Sequence, residues 1–180
     1  MDFKYYIKYF ATLEERLENI EKYIAFEEEN LDVFSIECAS IINDCCGLIN
    51  GFCFELCQVD NPSRKRFEMK DYKEYIYKNF QKEELVYFDK FILQPWEKII
   101  TNPLDKKSSN PLWWNDYNII KHSGKPNFTK ATLRNAISCM AGMFSLLIMY
   151  DYKQFGHTMV NWRRLFSTAG NYRKNVSWEC

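Results

Sequence analysis

Six side chains capable of chemistry lie within one short segment, residues 110–122, of this 180-residue chain. Residues four positions apart share a face of an α-helix. The segment therefore carries two neighbouring stripes, Trp114-Asn118-His122 and Trp113-Tyr117-Lys121. Histidine exchanges protons near neutral pH, lysine and asparagine can hold a phosphate, and aromatic rings can stack on unpaired bases. Together these groups are the components of metal-independent RNA cleavage, in which the ribose 2′-hydroxyl attacks the adjacent phosphate.

The same residues have a purely structural interpretation as well. Lys121 and His122 would fall in the last helical turn, where the helix dipole and the free carbonyls favour positive or donor side chains. Tryptophans beside a proline usually pack in a core, and the Asn118 amide could brace the next loop. Spacing leaves both interpretations open, because a site is defined by its three-dimensional geometry.

The ends of this segment predict a helix of about three turns. Asn110 can cap the first turn, and Pro111 fits the first helical position, where a missing N–H costs nothing. After His122, Gly124 can adopt the left-handed closing conformation and Pro126 prevents the helix from resuming.

Longer helices are expected on both sides of it, because apolar residues recur at helical spacing with polar residues between them. The expected helices cover residues 2–23, residues from Asp32 or Ser35 to about 58, residues 69–80, and residues from Asn127 or Thr129 to about 152. The β-branched and aromatic content of 85–93 favours a short extended segment there. We therefore predict a mainly all-α fold, a four-to-five-helix bundle over residues 1–152, with residues 153–180 as an extension that packs on the bundle or leaves it. Within the extension, Met159 to Phe166 is a further helix candidate.

The cysteines indicate a reducing compartment. Five of the seven lie between Cys38 and Cys57, on one expected helix, where most pairs cannot face each other for bridging. There is no Cys-x-x-Cys pair, so buried thiols are favoured over metal ligands, and no metal or cofactor is expected. A cysteine-based redox or metal sensor is a further alternative.

The charge and hydropathy patterns indicate which kinds of partner the protein could bind and where it is expected to be located. Residues 1–100 carry 13 Lys/Arg and 20 Asp/Glu, whereas residues 101–180 carry 11 and 4, so net charges of −7 and +7 meet in one neutral chain. This asymmetry indicates self-association, a polyanionic partner, or two halves that cancel within one fold. The longest uncharged apolar run, residues 137–150, is shorter than the ~20 residues of a membrane span. We expect a soluble, cytoplasmic protein without a secretory signal.

The pattern Trp113-Trp114-x-x-Tyr117-Asn118-x-x-Lys121-His122, followed by Phe128 and a long apolar helix, resembles HEPN-like bacterial domains. The resemblance covers residues 110–150 best. It implies an all-helical, often dimeric protein. Many members are metal-independent RNases of toxin–antitoxin and other defence systems, and others bind or scaffold.

One position departs from that family. Its catalytic signature is an arginine followed four to six residues later by a histidine, whereas residues 115–117 here are Asn-Asp-Tyr. Lys121 could replace the arginine as a point charge without its forked geometry, and Arg134 on the next helix could approach in space.

The sequence thus predicts an RNase or RNA-binding effector of a bacterial or phage-related defence system. His122 would be the general acid/base, Lys121 and Asn118 would hold phosphate with Tyr117 in support, and Trp114 and Arg134 would bind substrate. Expected partners are RNA, a second copy in a homodimer, and a protein partner or antitoxin. The alternative is a non-catalytic interaction or scaffold module of the same fold, in which these residues fix a helix-to-helix junction.

Overall fold

A computed structural model describes residues 1–79, 85–101, 109–122, 127–156 and 165–168 of the chain. These residues form a mainly helical protein with a small antiparallel sheet, which confirms the mainly helical prediction. The α-helices are α1 (Phe3–Glu21), α2 (Ile36–Asp60), α3 (Met69–Asn79), α4 (Glu97–Thr101), α5 (Leu112–His122) and α6 (Leu133–Phe155). Two short 3₁₀ turns, Glu28–Asn30 and Phe128–Lys130, precede α2 and α6.

The core lies between α2 and α6, the two longest helices, and α1 packs against both. Phe10 and Leu17 of α1, Ile42 and Ile49 of α2 and Leu147 of α6 are all fully buried. Nearly every residue of α6 from Ala136 to Met149 is buried, although the helix is long and apolar enough to span a membrane by length and composition. Such burial is that of the core helix of a soluble protein.

Each of the three long helices begins at a side-chain cap, and Asp2 caps α1 by accepting from the N–H of Tyr5. The hydroxyl of Ser35 accepts from the N–H of Cys38 at the start of α2, one of the two predicted possibilities. For α6 the predicted caps, Asn127 and Thr129, are wrong. Thr132 caps this helix by accepting from the N–H of Asn135.

The N-terminus of α5 also differs from the prediction. Asn110 does not cap the helix, because its side-chain oxygen is buried and accepts no hydrogen bond from the described residues, while its amide donates to the side chain of Asn115 at 3.3 Å. The carbonyl of Pro111 accepts the first helical hydrogen bond, so Pro111 lies one position before the first helical residue, Leu112. The predicted stop at Gly124 and Pro126 lies outside the described residues.

Three short strands form an antiparallel sheet in the order β2-β1-β3. The hairpin of β1 (Val86–Phe88) and β2 (Phe91–Leu93) confirms the extended segment predicted at 85–93. β3 (Phe166–Thr168) pairs with β1, so Phe166 lies in a strand and not in the expected helix. Residues 157–164 and 169–180 lie outside the described part of the chain.

Candidate functional site

The chemically capable segment forms α5, which packs against α6 and α2. Its inner face is aromatic: Trp113, Trp114 and Tyr117 are 3%, 7% and 7% exposed. The outer face carries Leu112, Asn115 and Ile119, all exposed. Packing therefore fixes α5 through its rings and directs its last turn towards the surface.

Trp113 is held in a group of aromatic rings. Its ring meets that of Trp96 edge to face at 5.2 Å and that of Trp114 at 5.9 Å. The indole N–H of Trp96 donates to the carbonyl of Gly142 at 3.0 Å, and a Cβ at Gly142 would lie 3.0 Å from the Trp113 ring. Glycine is therefore needed at position 142 because two indoles approach its backbone.

His122 is the last residue of α5, and its side chain is exposed. Among the described residues it makes no hydrogen bond or ion pair. The neighbouring Lys121 is exposed too, and its ammonium lies 5.4 Å from the centre of the Tyr117 ring. The last turn thus presents an imidazole and an ammonium to solvent side by side.

Tyr117 and Asn118 are held by their own helix. The Tyr117 ring lies 5.4 Å from the Trp114 ring, and the Asn118 amide donates to the carbonyl of Trp114 at 3.0 Å. Asn118 retains a second N–H and its side-chain oxygen for a ligand. Trp114, predicted to stack on a base, has most of its ring covered by protein.

Arg134, the predicted substitute for the family's arginine, lies in the first turn of α6. Its guanidinium pairs with Asp32 at 3.1 Å and with Glu28 at 3.2 Å. No group of α5 among the described residues is hydrogen-bonded or ion-paired to it. Lys121, Asn118 and Tyr117 thus lie on the same helix as His122, whereas Arg134 binds the acidic segment before α2.

A polar contact between α5 and α6 was not predicted. The Asn135 side chain, which is buried, donates to the carboxylate of Asp116 at 2.9 Å and to the carbonyl of Lys130 at 2.9 Å. The ammonium of Lys130 lies 3.5 Å from the same carboxylate. In the sequence, Asp116 stands out as an acidic residue beside the two aromatic stripes. Its partner could not be predicted, because Asn135 lies 19 residues further along the chain.

Three fully buried thiols lie close to this helix, Cys45 and Cys46 on α2 and Cys139 on α6. Burial raises the pKa of Cys45 and Cys46, and their hydrogen bonds to Cys139 raise it further. Burial acts in the same direction on Cys139, but the two S–H donors outweigh it and lower the pKa of that thiol. The positive charge of Lys121 lowers the pKa of Cys46 slightly, so the thiols lie within its field.

No metal site is formed by the described residues. They contain no group of three or more histidine, cysteine or acidic side chains placed to hold an ion. Surface cavities of about 270, 330 and 180 Å³ are lined by other elements, not by α5. Lys121 and His122, the last two residues of α5, are both exposed and can meet a large ligand such as a nucleic acid strand.

Comparisons with protein-family models, with curated proteins and with solved structures find no match for this chain.

Proposed function

We propose that the chain is a HEPN-like RNase or RNA-binding effector of a bacterial or phage-related defence or toxin–antitoxin system. The observation that carries the proposal is the exposure of His122 beside Lys121 at the end of α5. Since no described residue is hydrogen-bonded to this imidazole, both of its nitrogens are available for proton transfer. A buried or hydrogen-bonded histidine would instead have indicated a structural cap.

The proposed reaction needs no metal or cofactor. His122 accepts the proton of a ribose 2′-hydroxyl, whose oxygen attacks the adjacent phosphorus. The bond from phosphorus to the 5′-oxygen breaks, and the protonated His122 gives its proton to that oxygen, which returns the imidazole to its neutral form. The products are a 2′,3′-cyclic phosphate and a 5′-hydroxyl end. Lys121 offsets the charge that develops on the phosphate, and the free N–H of Asn118 orients it.

The remaining predicted roles are supported unequally. Tyr117 supports the site by packing its ring under the Lys121 ammonium. Arg134 would have to leave Asp32 or Glu28 before its whole guanidinium could bind phosphate. Trp114 offers a small exposed part of its ring to a base. Phosphate binding in this proposal therefore rests on Lys121.

A homodimer in the cytoplasm, with RNA and a protein partner or antitoxin as ligands, completes the proposal. The exposed apolar side chains of Leu112 and Ile119 lie seven residues apart on α5, a spacing suited to pairing with another helix. A second copy packed there would place two His122 side chains near one cleft.

A non-catalytic scaffold of the same fold is the second candidate. Trp114 and Tyr117 are buried, Asn118 bonds back to its own helix, and Asp116 anchors α5 to α6. In this function the same residues fix the junction between the helices, and the surface of the protein binds a partner.

Cleavage of a 5′-labelled RNA oligonucleotide in the presence of EDTA separates the two candidates. The wild-type protein should give fragments with cyclic phosphate ends. His122→Ala should lose about 10²-fold or more in rate, as expected when a general acid/base is removed. Lys121→Ala should also lower the rate, because it removes the charge that offsets the phosphate. Lys98→Ala, which removes an exposed cation of α4, is its matched control and should cleave as wild type does. An RNase whose rate is the same in His122→Ala would overturn the catalytic role.

A further inference from the structure

A groove lined by tyrosines runs between α1 and α2, away from α5. Tyr5, Tyr6 and Tyr9 form its α1 side, and Asn43, Asp44 and Gly47 lie on its α2 side. The two helices are antiparallel, since Tyr6 bonds Glu55 near the end of α2 while Arg16 bonds Asp44. The groove has a volume of about 330 Å³.

The tyrosines form a rigid platform. The Tyr6 hydroxyl donates to Glu55 at 2.7 Å, and the Tyr6 ring meets the Phe52 ring edge to face at 4.9 Å. Tyr5 packs on Tyr6 at 5.4 Å and on Tyr9 at 5.9 Å. Yet Tyr5 and Tyr9 are 52% and 36% exposed, and their hydroxyls donate to no group in the described part of the chain. Two ordered aromatic side chains thus offer ring surface and hydrogen-bond donors to a ligand.

The α2 side of the groove contains two glycines, Gly47 and Gly51, which have no side chains to fill it. A Cβ at Gly47 would meet no atom within 4 Å, and one at Gly51 would lie 3.5 Å from the Tyr6 hydroxyl. Internal packing therefore does not require glycine at either position. Because no side chain rises there, a ligand backbone can approach α2 closely beside the tyrosine rings.

The dimensions select an extended ligand. Positions 43 to 51 of α2 span about 12 Å at 1.5 Å per residue. A polyproline II segment rises 3.1 Å per residue, so about four residues fit this length. Its carbonyls have no internal partners and can accept from tyrosine hydroxyls and the Asn43 amide.

The charges select against nucleic acid and in favour of a basic peptide. At one end of the groove a single guanidinium, that of Arg16, is shared by Asp44 at 2.6 Å and Glu37 at 2.8 Å. One negative charge is therefore left over at this end. Such an end repels phosphate and attracts an arginine or lysine that flanks the prolines.

We propose that this groove binds an extended proline-rich segment of a partner protein, with a basic residue of that segment at the Asp44 end. The rings of Tyr5 and Tyr9 contact the prolines, and the ligand backbone lies over Gly47. Binding here is independent of the RNase proposal, because the groove contains no α5 residue.

Fluorescence anisotropy with the full chain tests the proposal. The probe is a labelled peptide of two arginines followed by eight prolines. One control peptide has every second proline replaced by glycine, and a labelled oligouridine is the nucleic acid control. We expect the proline peptide to bind best and to bind more weakly as salt is raised, because the charges at the Asp44 end are partly exposed.

Substitutions locate the binding site. Gly47→Leu fills open space, so the fold should be retained while the peptide binds about tenfold or more weakly. Tyr5→Ala should weaken binding about tenfold, as expected for an aromatic anchor. Tyr23→Ala, which removes an 87% exposed tyrosine outside the groove, is the matched control and should bind as wild type. Thermal melts verify that each variant is folded, and Tyr5→Ala decides the result if Gly47→Leu does not fold.

Three results would overturn the proposal. The first is no anisotropy change at protein concentrations up to about 1 mM, because a dissociation constant above this value would be too weak for specific binding. The second is equal peptide affinity in wild type and folded Gly47→Leu or Tyr5→Ala. The third is tighter binding of the oligouridine than of the proline peptide.

Discussion

Replacement of Asn135 by alanine is expected to weaken the anchor between α5 and α6. The change removes one hydrogen bond to the Asp116 carboxylate and one to the Lys130 carbonyl, each 2.9 Å long. A bond to a charged group contributes about 1.5–3 kcal/mol and a neutral one about 0.5–1.5 kcal/mol. The Asp116 side chain is 22% exposed, so the lower half of the first range applies. Alanine regains about 0.5 kcal/mol of helix propensity, which leaves a net loss of about 2 kcal/mol.

Urea unfolding, followed by circular dichroism and by tryptophan fluorescence, measures this loss. Ser138→Ala, one turn further along α6 at a half-buried position, is the matched control and should change the free energy of unfolding by less than about 0.5 kcal/mol. A double-mutant cycle of Asn135→Ala with Asp116→Ala should give a coupling energy of about 1 kcal/mol or more. A loss no larger than that of the control, or a coupling indistinguishable from zero, would show that packing alone positions α5.

Three further predictions concern other parts of the fold. Burial raises the pKa of Cys57 to about 11, so this thiol loses its proton at a lower pH in the unfolded chain than in the folded one. The free energy of unfolding should therefore fall between about pH 9 and pH 11, and Cys57→Ala should make this fall less steep. Arg16→Ala should lower the free energy of unfolding by about 1–2 kcal/mol, because its partly buried guanidinium joins α1 to three α2 side chains. Arg134→Ala, whose ion pairs are more exposed, should lower it by less than about 1 kcal/mol. The reverse order in urea unfolding would contradict this reasoning. His122→Ala should leave the melting temperature almost unchanged, because the side chain is exposed and makes no hydrogen bond within the described part of the chain; a sharp drop would favour the junction role.

The periodicity of the sequence predicted the helices well and their ends less well. The apolar positions of α1 and α2 recur at helical spacing, and burial on one face follows directly from it. The start of α6 depends on tertiary contacts instead. Phe34 forms an isolated β-bridge with Thr132, and the N–H of Leu133 donates to the carbonyl of Val33, so the chain before α2 fixes where α6 begins.

The end of the chain could not be read from local pattern. β3 contains three residues, too few for an alternating pattern to be distinguished from part of a helix. β3 pairs with β1, with Thr168 opposite Val86. Because these residues are far apart in sequence, neither segment shows by its own pattern that the other is its partner. Phe166 is buried against Phe10 and Phe88, so the strand is held by the core and not by its own propensity.

For the candidate site, the sequence predicted helix α5 but not which of its side chains are buried. Trp114 and His122 share one stripe by spacing, yet one is buried and the other exposed. At 3.6 residues per turn, positions eight residues apart differ in direction by about 80°, so the stripe turns away from the buried face. The acidic partners of Arg134 could not be foreseen either, since they come from the segment before α2.

We propose that the exposed imidazole at the end of α5 transfers protons to and from RNA. Single-turnover cleavage of labelled RNA in EDTA, by wild type and by His122→Ala of equal melting temperature, tests this role. We expect cyclic phosphate products from wild type and a rate at least about 10²-fold lower from the variant. Equal rates in the two proteins, or no cleavage by wild type, would contradict it.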